Sequence, residues 1–125
     1  MFQRLERIVK KFVAMKQYTT PEQTAKLIEL GVERPFRNEY LHIVEEYGYA
    51  VNKERNFSIG ELIEMLPDVV ESEDSEYVTL QMYFDLFNWV IEYTGVEKTE
   101  YATSAIEFID ALYDMVIKLK EEEVI

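Results

Sequence analysis

The residue types best suited to bond-making chemistry are sparse in this 125-residue chain, which has one histidine, His42, and no cysteine. An imidazole works as a general base or metal ligand when a nucleophile or further ligands stand beside it. No such Ser or Asp partner is evident for His42, which therefore reads as a structural or surface residue. Glu107, Asp110 and Asp114 stand three and four apart, so on a helix their carboxylates share one face. There they could hold a hard cation or divide acid and base roles. The same spacing is that of a solvated stripe opposite Phe108, Leu112 and Val116, and neither a Glu-x-x-His partner nor a second acidic stripe accompanies it. The run Glu71-Ser72-Glu73-Asp74-Ser75-Glu76 lacks the ligand order and turn glycine of a calcium loop, and its charge predicts an exposed, solvated loop. With four glycines in all, no phosphate-cradling loop is visible. The sequence thus assigns no catalytic, cofactor-binding or metal-binding residue and no cofactor, and it predicts a protein that is not an enzyme.

Binding is the remaining class of function. Thr20 to Val32, followed by Arg34, Pro35, Phe36, Arg37 and Asn38, has the order of a first helix, a glycine turn and the start of a reading helix. Residues 20–40 therefore offer one alternative, a helix-turn-helix-like DNA-binding regulator. Charge argues against it. Residues 1–57 hold ten Lys or Arg against eight Asp or Glu, whereas residues 58–125 hold three against seventeen, and the whole chain carries −12. Such a surface repels nucleic-acid and membrane phosphates, suits a basic protein partner, and could imitate nucleic acid to inhibit a DNA-binding host protein. No dense Lys/Arg stripe accompanies the reading helix, and phosphate contacts ordinarily dominate affinity for DNA. There is no apolar run of the ~18 residues that a spanning helix needs, and charge is mixed into every turn of the start. The expectation is a cytoplasmic protein without a membrane segment.

The elements that must position these residues follow from periodicity and capping. The length suits one domain, and the 48% hydrophobic content with few Pro and Gly suits a packed core. Leu5, Ile8, Val9, Phe12 and Val13 predict an amphipathic helix over residues 2–17, with Arg4, Arg7, Lys10 and Lys11 largely opposite. Thr20 with Gln23, and Pro21 at the first position, predict a helix over 20–30 that Gly31 closes and that buries Ala25, Leu27, Ile28 and Leu30. Residues 32–57 read equally as a helix begun by Pro35 or as a hairpin of Tyr40–Val44 with Tyr49–Val51. Ser58 with Glu61, and Phe57 with Leu62, predict a helix to about residue 66 that turns Leu62, Ile63, Met65 and Leu66 inward until Pro67. Leu80, Met82 and Phe84, then Trp89, Ile91 and Tyr93, alternate about residues 85–88, and β-branched and aromatic enrichment favours a hairpin over 77–94 rather than one long helix. Ser104 with Glu107 predicts a third capping box and a core helix over 104–122, whose acidic end at residues 121–123 should fray.

Three segments carry a likeness: Thr20 to Val32, Phe57 to Pro67 (FSIGELIEMLP), and Phe108 to Lys120 (FIDALYDMVIKLK). In this order they resemble a family of small proteins of phages, prophages and mobile elements of gut bacteria whose function is unknown. The resemblance covers most of the chain. It implies an irregular or strand-like stretch between the first two segments and a β-hairpin before the last helix, which favours the hairpin reading within residues 32–57. Phe57 stands where Trp or Tyr is more usual in that family, and residues 1–18 look like an addition to its core. The resemblance rests on caps and core positions and implies no activity. Together these readings predict one α+β domain with about four helices on a short antiparallel sheet of hairpins. They also predict a non-enzymatic phage or mobile-element accessory protein that contacts a host or phage protein.

Overall fold

A computed structural model of the chain describes residues 15–34 and 56–125. Among these residues the architecture is α+β: three helices and one four-stranded sheet. The order is α1 (Pro21–Glu29), α2 (Ile59–Met65), β1 (Val69–Glu71), β2 (Tyr77–Phe84), β3 (Trp89–Thr94), β4 (Thr99–Ala105) and α3 (Phe108–Glu121). The strands follow chain order, β1-β2-β3-β4, and every pairing is antiparallel. Sequential antiparallel strands need only tight connections, so the sheet is a simple meander.

Local chemistry sets the ends of α1 and α2. Thr20 accepts from Gln23 N while the Gln23 side chain accepts from Thr20 N, and Ser58 and Glu61 repeat the arrangement at α2. Gly31, at φ +75°, closes α1: its N–H donates to Ile28 O and that of Val32 donates to Leu27 O, which satisfies two end carbonyls. Leu66, extended at φ −86° and ψ 121°, ends α2 because the following Pro67 disfavours helical backbone at that residue.

The core lies between one sheet face and α3. Val78, Ile91 and Tyr93 are buried from the strands, and Phe108, Ile109, Leu112, Met115, Val116 and Leu119 from the helix. The register sets Leu80 opposite Tyr93, Met82 opposite Ile91 and Phe84 opposite Trp89, so the alternation expected of a hairpin over 77–94 is the one that forms. α3 lies against β3 and β4, and α2 packs on α3 with Leu62 and Leu66 buried. Tyr93 is buried and donates from its hydroxyl to Pro67 O at 2.7 Å, tying β3 to the end of α2.

Several expectations are corrected. The last helix begins at Phe108 and not at Ser104: Ser104 lies in β4 opposite Val90, and Glu107 precedes the helix without a side-chain cap bond. Strand pairing has claimed the residue that the capping box required. Beyond the end of that helix the chain closes back on it: Glu123 N and Val124 N donate to Lys120 O and Leu119 O. α1 buries Thr24 and Leu27 and leaves Ala25 and Ile28 exposed, because Thr24 turns inward to bond Thr19 and Asn56. Ile63 is likewise exposed on α2, where Glu61 takes the inward position. The acidic run is an exposed loop as expected except at its start, where Glu71 ends β1 and Ser72 is buried. Residues 15–17 are not helical, and the rest of the helix expected over 2–17 lies outside the described residues. So do residues 35–55, where the helix and hairpin readings competed.

Candidate functional site

Two of the three carboxylates singled out on the last helix, Glu107 and Asp110, are held in structural bonds. Lys16 binds Asp110 through its ammonium at 3.0 Å and Glu107 through its backbone N–H at 3.2 Å, and Gln23 donates to the same Asp110 oxygen at 2.8 Å. Two members of the acidic trio thus fasten the segment before α1 to the first turn of α3. Desolvation raises the Asp114 carboxyl above its ordinary value, with the neighbouring Asp110 adding to the effect. No group of three or more His, Cys, Asp or Glu among the described residues is placed to hold a metal ion. His42 lies outside the described residues, as does the second helix of the helix-turn-helix reading.

Glu61 is the buried carboxylate that periodicity did not single out. It is 2% exposed, accepts from Ser58 and pairs with Arg34 at 2.9 Å, while the Arg34 guanidinium stands 3.9 Å from the centre of the Phe57 ring. A buried ion pair needs hydrogen bonds on its remaining lone pairs, and the capping box supplies one. Its geometry joins the end of α1 to the start of α2. An open cavity of about 350 Å³ is lined by Gly31, Val32, Glu33, Met65, Lys120 and Ile125, with Glu33 and Lys120 as its charged side chains.

What stands out is one end of the sheet. β2 runs up to a tight turn at Asp85–Asn88, β3 returns, and β4 runs up again to Ile106, so these two connections lie at the same end. Leu86, Phe87 and Ile106 there are 72%, 77% and 71% exposed. Beneath them the aromatic rings of Phe84, Trp89 and Phe108 are in contact, 5.2 Å and 4.7 Å apart at their centres, so the apolar surface continues into the core. Two strand spacings of ~4.8 Å separate the connections, close enough for one partner to cover both.

The backbone of the turn is unusual as well. Leu86 has φ +88°, at the first central position of a two-residue hairpin, where glycine is the usual occupant. Asp85 compensates: its carboxylate accepts from Phe87 N at 3.1 Å and Asn88 N at 2.7 Å, and its own N–H donates to Asn88 O at 3.0 Å. Those two amides hold the Asp85 carboxyl below its ordinary value. A branched apolar side chain at positive φ, aimed into solvent, spends conformational energy on display. The sequence had one signal for this site: Leu-Phe occupies a hairpin turn where Asn-Gly chemistry is expected. Ile106 had none, because it sat inside the helix expected over 104–122.

No family model matches the chain, and no curated protein and no solved structure matches it either. Among the described residues no helix is long and apolar enough to cross a membrane.

Proposed function

We propose that this chain is a non-enzymatic interaction protein, an accessory of a phage or mobile element, that contacts a host or phage protein through the apolar end of its sheet. One observation carries the reading: Leu86, Phe87 and Ile106, three large apolar side chains on two separate connections, are exposed together, one on a strained backbone. Single exposed apolar residues are ordinary, whereas clustered ones mark contact surfaces. The engagement of Glu107, Asp110 and Glu61 in structural bonds supports the non-enzymatic part. The setting in phages and mobile elements rests on the resemblance of the three sequence segments.

Affinity capture from host lysate, run in parallel with wild type and the F87S/I106S double variant, tests the reading. Both side chains are exposed, so the variant should keep the fold and melting midpoint of wild type. The expected result is a protein retained by wild type and lost by the variant. Identical sets of retained proteins on the two would overturn it.

A further inference from the structure

We infer that the occupant of this apolar end is an apolar protein surface bordered by Lys or Arg, such as the face of a basic amphipathic helix, an inference that rests on the interaction reading above. The ground is charge. Each of the two connections at that end has a carboxylate beside its apolar residues: Asp85 precedes Leu86 and accepts from Phe87 N, and Glu107 follows Ile106. Between Arg55 and Lys118 the sequence has one cation, Lys98. It lies at the opposite end of the sheet, bound to Asp74 at 2.7 Å and Glu100 at 3.0 Å. Among the described residues, the cation that contacts place near the apolar end is Lys16, and its ammonium is taken by Asp110 at 3.0 Å.

A surface that covered Leu86, Phe87 and Ile106 would also strip water from the flanking carboxylates. Desolvating a carboxylate costs several kcal/mol in order of magnitude unless a cation or donor replaces the water. Asp85 keeps its two backbone amides and Glu107 the Lys16 N–H, so the cost falls on their remaining lone pairs; a neutral or acidic surface leaves that part standing, and a Lys/Arg border offsets it while setting the register of docking. Nucleic acid and anionic membranes bring phosphate to the same carboxylates and are disfavoured.

Fluorescence anisotropy tests the inference with two labelled amphipathic helical peptides that share a leucine face and differ in having Lys or Glu on the polar face. The full chain should bind the Lys peptide and not the Glu peptide. F87S/I106S, which leaves the charge unchanged, should weaken the Lys peptide at least about tenfold, as loss of central apolar anchors does. Equal binding of both peptides, no binding of the Lys peptide, or undiminished affinity in F87S/I106S would each overturn the inference. So would binding to phosphatidylcholine vesicles that F87S/I106S abolishes, because the occupant would then be a membrane. If the Lys peptide fails while the double variant still loses a captured protein, the partner's chemistry is wrong and the interaction reading stands. If the capture difference is also absent, both fall.

Discussion

Leu86 concentrates the account in one residue. For a side chain with a Cβ, the left-handed region costs roughly 1–2 kcal/mol. Leu86 sits there at φ +88° with most of its side chain in solvent, so packing returns little of that cost. Replacing it with glycine relieves the strain and adds chain entropy to the unfolded state, a penalty of about 0.4–1 kcal/mol. L86G should therefore be more stable than wild type by roughly 0.5–1 kcal/mol in urea unfolding, with an unchanged m-value. A lower stability would mean that Leu86 is held by packing and is not on display. Glu123 makes the parallel case away from the site. At φ +58° it occupies the position after the cap of α3, where Glu123 N and Val124 N donate to Lys120 O and Leu119 O. Glycine is the preferred occupant there, and a carboxylate meets the negative end of the helix dipole. E123G should raise the urea midpoint, by about 1 kcal/mol in stability, and a lowered midpoint would contradict the closing geometry. The two substitutions are expected to differ in one respect: L86G should weaken partner binding and E123G should leave it alone.

At the scale of elements, what could be read from the sequence was what short-range chemistry decides. Thr20 with Gln23, and Ser58 with Glu61, form their capping boxes because each closes within three residues and needs no distant partner. The apolar face of α3 was legible for the same reason: Phe108, Ile109, Leu112, Met115, Val116 and Leu119 recur at helical spacing, and all are buried. The β2–β3 hairpin was legible because its inward residues alternate on both sides of one turn. Illegible were the elements that depend on distant pairing. β1 has three residues, too few to show a period. β4 turns Tyr101, Thr103 and Ala105 to the core side, a set with little hydrophobic contrast, and it is recruited by β3 rather than by its own pattern. That recruitment removed Ser104 from the cap it was expected to form. It also moved Ile106 from the interior of a helix to an exposed corner, which is why half of the candidate site was hidden. The other half was legible in principle, since Leu86 and Phe87 break turn chemistry at a place where a hairpin was already expected.

For the molecule as a whole, charge and apolar display divide the sheet into two unlike ends. Lys98 with Asp74 and Glu100 occupies one end, together with Val96, fully exposed in its turn, and Tyr77, 69% exposed at the start of β2. Leu86, Phe87 and Ile106 occupy the other, flanked by Asp85 and Glu107. A net charge of −12 opposes association of such a molecule with its own copies, which suits an apolar end that stays exposed under the interaction reading proposed above. The two ends supply their own control. A photo-reactive benzoylphenylalanine can be placed at position 87 in one preparation and at position 96 in another, both replacing exposed apolar residues in hairpin turns. Irradiation in host cells should give a discrete protein adduct from position 87 and none from position 96, with the adduct abolished when Ile106→Ser is added. Adducts of equal yield from both positions, or from position 96 alone, would contradict the assignment of the sheet's apolar end as the contact surface.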